Sequence, residues 1–292
     1  MKKETLEQYL YRRYTKQSAK TYHFVINNFL ATNPNAARYQ YRDMVNHFAE
    51  LKKRYPNPST RNNILAALKK YYNYLVETGA RNDHPCKAFR IKGENIAKRS
   101  QVHFQNLFTP SELDMMLRRE NRYPNLKHRN KIIISLLIYQ GLTSEDVSRL
   151  DINNVDLDNS TIYVKSSAKL NSRTLKLLPM QVEWLEEYIN TYRDKIRKIE
   201  SNRLFFGIRG DAETVEGIGG MLEPLKALFP DRALNAKSIR MSVIANWLNV
   251  NKYRLEHVQE WTGHRWPSST LRYKRIDLAE AREKINKWHP MK

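Results

Sequence analysis

Residues 262–275 read TGHRWPSSTLRYKR. Gly263 and His264 lead into Trp266-Pro267-Ser268, which reads as a turn, and Tyr273 follows His264 by nine residues. Arg265, Arg272, Lys274 and Arg275 crowd that tyrosine. A free phenol titrates near pH 10 and is a poor nucleophile at neutral pH. Positive neighbours lower that pKa and also hold an anionic phosphate where the oxygen can reach phosphorus. Taken alone, the stretch fits a surface tyrosine on a basic helix equally well.

Two upstream segments bear on the choice. Asn235-Ala236-Lys237-Ser238-Ile239-Arg240 opens a predicted helix over 237–249. Residues three apart share a helix face, so Lys237 and Arg240 stand together near its N-terminus. Free backbone N–H groups and two cations there could hold one phosphate, although an isolated KxxR is more often a solvated face. Lys169 falls at the tip of a predicted hairpin between strands 161–165 and 173–178. A lysine projecting from a hairpin can reach into a groove and donate a proton; by itself it is an ordinary turn residue.

Together, the order and spacing of these segments resemble the tyrosine recombinase (phage integrase) family over nearly the whole chain. GLTSEDVSRLDINNVDLDNSTIYV, residues 141–164, looks like that family's Gly-Leu-Arg block and the strand after it. The Lys169 hairpin, the KxxR helix and the Gly-His…Tyr segment follow in family order. The resemblance implies a mainly α protein: a helical SAM-like core-binding domain, then a catalytic domain with a small antiparallel sheet. It implies that Tyr273 attacks the scissile phosphate of DNA, giving a 3′-phosphotyrosyl link and a free 5′-hydroxyl. Arg240 and His264 would bind the non-bridging oxygens, and Lys237 would hydrogen-bond the phosphate or help move a proton. Lys169 would protonate the leaving oxygen, and Asp146 would support the site from behind. The same resemblance implies no metal, no ATP and no other cofactor. It implies a tetramer on two DNA duplexes, a monomer in solution and accessory DNA-bending proteins.

One position departs from the pattern. The family's first catalytic arginine should follow Gly141-Leu142, and Thr143 stands there. A hydroxyl cannot make a guanidinium's bidentate phosphate contact. Losing one preorganised charged donor costs roughly 10²–10³ in rate. Another arginine could fill the gap, and Arg149, Arg173 and Arg129 are candidates that spacing does not separate. Some conjugative-transposon integrases resemble this chain in lacking that arginine and still recombine. Alternatively the enzyme is slow, or the chain is a recombinase-fold DNA-binding regulator. A type IB topoisomerase-like enzyme shares the chemistry and is a further alternative.

Composition agrees with a polyanionic partner. The 292 residues suffice for two domains. They carry 51 Lys+Arg against 30 Asp+Glu, a formal charge of +21. Such an excess opposes compaction, so a nucleic acid is the first candidate to offset it and an anionic membrane surface the second. No apolar run approaches the length of a membrane span. The start, MKKETLEQYLYRRY, lacks the apolar core of a signal peptide. A single cysteine, Cys86, excludes an intrachain disulfide and fits a reducing cytoplasm, where the chain would associate with the nucleoid.

Residues 1–88 read as a four-helix DNA-binding unit with a break at Asn33-Pro34, an N-cap at Ser59 or Thr60 and a stop at Thr78-Gly79. Lys20, Arg61, Asn62 and Lys69 on its outer faces are candidate DNA contacts, as is Arg272 beside the tyrosine. Residues 89–106, with four Lys/Arg against one Glu, read as a basic linker. The catalytic domain, 107–292, opens on a capping box at Thr109-Pro110-Ser111-Glu112. It continues with an apolar helix over 132–139, a short helix over 144–150, the two strands, and helices over 182–199, 217–229, 237–249 and 255–262. A last helix, 277–288, with Leu278, Ala281, Ile285 and Trp288 at helical spacing, packs on its own domain or, as the resemblance implies, on a neighbouring protomer.

Overall fold

The computed structural model describes residues 4–91, 102–118 and 126–275. The chain divides into two compact units, 1–99 and 100–292. Most of the basic linker and the whole 277–288 helix lie outside the described residues.

The first unit is α-helical: α1 (Leu6–Arg13), α2 (Lys16–Thr32), α3 (Tyr41–Arg54) and α4 (Pro58–Glu77). Thr5 and Thr15 cap the first two helices by accepting backbone N–H groups. Asn57, not Ser59 or Thr60, caps α4; Pro58 takes the first helical position, where its missing N–H leaves nothing unpaired. Gly79, at φ +71°, ends that helix as expected. Leu10, Ile26, Phe29, Met44, Leu65, Leu68, Tyr71 and Tyr72 form one core, with Cys86 buried as a free thiol.

In the second unit, α5 (Pro110–Met115) starts on the expected capping box of Thr109 and Glu112. Next come α6 (Lys127–Tyr139) and α7 (Ser144–Ser148), then β1 (Val155–Asp156), β2 (Thr161–Val164) and β3 (Arg173–Lys176). Among the described residues these strands form one antiparallel sheet in the order β1-β2-β3. Two residues of β1 pair with Ile162 and Thr161, a strand too short to show as alternation in the sequence. The helical stretch after the sheet is α8 (Pro179–Glu187), a π turn (Tyr188–Tyr192) and α9 (Arg193–Ile196). Then follow α10 (Val215–Leu222), α11 (Ala236–Asn249), α12 (Leu255–Thr262) and α13 (Pro267–Leu271). The Trp266-Pro267-Ser268 turn of the sequence reading is thus the start of a short helix with Pro267 at its first position.

The core explains the architecture. In α6 every residue from Ile132 to Ile138 is buried, so this helix is enclosed rather than amphipathic. It packs on α11, which buries Ile239, Val243 and Ile244, and on α8. Ile162, Val164 and Leu175 close the same core from the sheet. Gly141 follows α6 at φ +60°, which releases the chain into α7 and frees its carbonyl for the site below.

Candidate active site

The site is built where α11 and α12, the end of the β2–β3 hairpin and the segment after α12 converge. Asn235 caps α11 by accepting the Ser238 N–H. One turn in, Arg240 is 8% exposed, an arginine on the buried side of a core helix. Its Nη1 donates to the Gly141 carbonyl and its Nη2 donates to the Thr262 carbonyl at 2.6 Å. Two of five N–H groups are fixed in this way, leaving three to donate elsewhere. Burial first, and the neighbouring Arg173 second, pull its pKa down to about 10, while Asp146 and Tyr273 act in the opposite sense. It stays cationic at neutral pH.

The Gly-His pair is clamped to the hairpin. Gly263 ends α12 in the left-handed region at φ +71°. Its carbonyl accepts the Asn171 N–H at 2.8 Å, and Leu170 bridges to His264. A Cβ at residue 263 would lie 2.8 Å from the Asn171 carbonyl oxygen and 2.9 Å from Arg173 Nη1, so glycine is required by conformation and by space. His264 Nδ1 lies 2.8 Å from the Thr270 hydroxyl on α13. Burial, then Arg240, Arg272 and Arg173, push this imidazole down to about 4, so it is neutral at pH 7. In the tautomer where the hydroxyl donates to Nδ1, the imidazole proton sits on Nε2, the nitrogen left to donate to a ligand.

Tyr273 closes the arrangement. Its ring packs with Val102, Ile244, Leu248 and Val258, and the residue is 4% exposed. The ring lies nearly parallel to that of His264, with centroids 6.3 Å apart. Its hydroxyl accepts from Arg272 Nη2 at 3.0 Å, and the Arg272 guanidinium also sits over the ring face. Asn249 holds the segment by donating to the Tyr273 carbonyl and accepting the Arg275 N–H, both at 2.8 Å.

Asp146 and Thr143 stand behind this cluster. Thr143 is the N-cap of α7, exchanging hydrogen bonds with Asp146 at 3.0 Å in each direction. The same Asp146 Oδ2 accepts from Arg173 Nη2 at 2.9 Å, and both side chains are almost wholly buried. Of the three arginines that spacing left equal, only Arg173 is among the charges acting on Arg240 and His264. Arg129 is paired with buried Glu213 and the Phe206 carbonyl, and Arg149 is spent on Glu145 and the Ser166 carbonyl.

The structure therefore brings Tyr273, Arg240, His264, Asp146 and Arg272 together. Lys237 and Lys169 are exposed, one in the first turn of α11 and one in the bend before β3. Among the described residues neither ammonium is engaged by this cluster. In the first unit Lys20 is exposed and Asn62 is half-buried. Two contact candidates differ from the outer-face expectation. Arg61 is 6% exposed with Nε and Nη1 unpaired, because its helix turns that face to the core beside Leu65 and Leu68. Lys69 is half-buried and its ammonium reaches the Lys87 carbonyl at 3.4 Å. Thr270 and Asn249, which orient His264 and Tyr273, carry no sequence signal that separates them from other polar helix residues.

A model of the phage integrase family matches residues 106–280. The chain belongs to that family. A putative tyrosine recombinase of Caldanaerobacter subterraneus subsp. tengcongensis is 27% identical over 248 residues, covering 85% of this chain and 81% of that protein. Tyrosine recombinase XerC of Lactobacillus delbrueckii subsp. bulgaricus is 25% identical over 80% of this chain and 78% of its own. The fold is that of the Tn1549 transposon integrase in complex with a circular intermediate DNA (TM-score 0.67, 14% identity, 97% of this chain and 99% of that one). It is also that of XerH bound to palindromic difH substrate in a post-cleavage complex (TM-score 0.66, 19% identity, 86% and 72%). Among the described residues no helix is long and apolar enough to cross a membrane, and no group of three His, Cys, Asp or Glu is placed to hold a metal.

Proposed function

We propose that this chain is a site-specific DNA recombinase that cuts and rejoins double-stranded DNA through a covalent bond to Tyr273. The observation that carries the reading is a phenolic hydroxyl 3.0 Å from the Arg272 guanidinium, on a ring stacked 6.3 Å from His264 and near enough to Arg240 to act on its charge. As the tyrosine oxygen bonds to phosphorus its proton leaves to water, and the bond from phosphorus to the 5′-oxygen breaks. Lys169, free at the hairpin bend, supplies a proton to that oxygen. Arg240 stabilises the charge that builds on the non-bridging oxygens, and the His264 Nε2–H donates to one of them. Lys237 adds a further donor at the mouth of α11. Rejoining is the reverse attack by a 5′-hydroxyl, and the phosphotyrosine bond conserves the energy it needs.

The +21 charge supports binding to duplex DNA, with affinity that falls steeply as salt rises. Tn1549 integrase and XerH are seen with DNA, which supports the same partner here. The reading extends to four copies acting on two duplexes in the cytoplasm. It is tested with duplexes that the full chain selects from a random-sequence pool, nicked to trap the covalent product. Wild type gives a protein–DNA adduct on a denaturing gel and Tyr273→Phe gives none. An adduct that survives Tyr273→Phe, or DNA retention with no adduct in wild type, overturns the reading.

A further inference from the structure

Arg173 is a buried group of the second unit that neither the family pattern nor the mechanism above uses. It is the first residue of β3 and faces the core, 5% exposed, in register with Val164. Nη2 is on Asp146, and Nη1 makes only a long, 3.4 Å contact to the Asn171 carbonyl. Nε is buried with no partner. A buried donor left unsatisfied costs about 1–3 kcal/mol, more when charged, so such groups call for an acceptor. The local charge is also unbalanced. Arg240 and Arg173 are two buried guanidiniums whose charges act on each other, His264 is neutral, and Asp146 is the carboxylate that faces them. The set as a whole is net positive, and Arg272 beside His264 adds to the excess.

The position is telling. Thr143 N and Arg173 Nη2 share one oxygen of Asp146, at 3.0 and 2.9 Å. Arg173 thus places a guanidinium beside the backbone from which the family's first arginine would project. Gly263 lets it approach, since a Cβ there would strike Nη1 and, at 3.2 Å, press on Cδ.

We propose that Arg173 is a catalytic residue of this chain, donating to the scissile phosphate in place of the arginine that Thr143 replaces. The proposal rests on the recombinase reading above and adds the identity of the second phosphate-binding guanidinium. Asp146 then holds Arg173 in place as well as capping α7.

The test compares two substrates in the full-length protein. Once the scissile phosphate of a selected duplex is mapped from the wild-type adduct, the duplex is made with a phosphodiester or a neutral methylphosphonate there. Arg173→Ala should cleave the phosphodiester about 10²–10³ slower than wild type, the usual loss for one charged donor. On the methylphosphonate, which has no charge for that arginine to neutralise, the loss should shrink to about tenfold or less. Arg173→Lys, which keeps the charge and loses the fork, should fall between. If removing one partner of the buried pair unfolds the unit, Arg173→Gln with Asp146→Asn keeps a neutral hydrogen bond and must show the same split between substrates. Equal fold losses on both would mean that Arg173 only shapes the site and overturns the proposal. No adduct from wild type on either substrate removes the recombinase reading and this inference with it.

Discussion

Gly263→Ala is the sharpest perturbation of the site that removes no side chain from it. An L-residue at φ +71° carries a left-handed penalty of about 1–2 kcal/mol. The added methyl also meets the Asn171 carbonyl oxygen at 2.8 Å and Arg173 Nη1 at 2.9 Å. The carbonyl cannot easily retreat, because its residue donates to the Gly263 carbonyl and Leu170 bridges to His264. Crowding of this kind adds about 1–3 kcal/mol, for a total of roughly 2–5 kcal/mol. At a urea dependence of about 2 kcal/mol per M, the midpoint should drop by about 1–2.5 M. All five tryptophans lie at or beyond residue 184, so their fluorescence follows the second unit alone. Cleavage should fall further than the lost folded fraction explains, because the methyl displaces Arg173 from His264 and Arg240. A midpoint within about 0.3 M of wild type would refute the close approach of the hairpin. A lowered midpoint with wild-type cleavage per folded molecule would refute the placement of Arg173 at the phosphate.

Thr270→Val keeps the shape of a fully buried residue and removes the hydroxyl on His264 Nδ1. It should cost about 0.5–1.5 kcal/mol in stability and a larger factor in cleavage rate, because either imidazole nitrogen can then carry the proton; an unchanged rate would contradict the Nε2–H assignment. His264 titrates near 4 when folded, and an unfolded histidine takes its proton near 6.5. The unfolded chain therefore binds more protons between those values, and stability falls as pH drops through that window. The contribution is at most about 3 kcal/mol and is reduced by screening at this partly open ring. His264→Gln should flatten the slope of urea midpoint against pH between 6.5 and 4, and an identical slope would show that another group is responsible. Glu213→Ala leaves Arg129 buried without its carboxylate and should lower stability of the second unit by about 3–5 kcal/mol, read by the same fluorescence; a loss under about 1 kcal/mol would mean that water or a rearranged neighbour takes over.

What was legible in the sequence divides along physical lines. Helices bounded by local chemistry were readable, because caps such as Thr109 with Glu112 and stops such as Gly79 act within four residues. The π turn at Tyr188–Tyr192 and the two-residue β1 were not, since they follow from packing and from pairing with β2 rather than from their own residues. Spacing and the family resemblance singled out Arg240, His264 and Tyr273, and the structure brings the three side chains into one cluster. Spacing could not rank Arg129, Arg149 and Arg173, because each meets its partner through the tertiary fold or through a side chain one turn away. A signal for Arg173 was nonetheless present. In RTLKL, residues 173–177, the alternation that places Leu175 and Leu177 in the core places Arg173 there too, and Thr174 and Lys176 point out.

An arginine in a core-facing strand position needs a partner, and the available carboxylate lay 27 residues upstream, in the block whose own arginine is missing. The two anomalies of this sequence, a threonine where a guanidinium is expected and a guanidinium where an aliphatic is expected, meet at Asp146. If they were unrelated, nothing would require the charge to stay at 173, and a Leu or Met there with Asn at 146 would pack as well and cost less, since desolvating a buried ion pair often outweighs its attraction. A buried pair with a spare N–H and a net positive neighbourhood is poor at holding a fold together and well suited to waiting for an anion. That asymmetry makes Arg173→Met with Asp146→Asn informative. It should match or exceed wild type in urea midpoint while losing cleavage, whereas a pair kept for stability would lose both together.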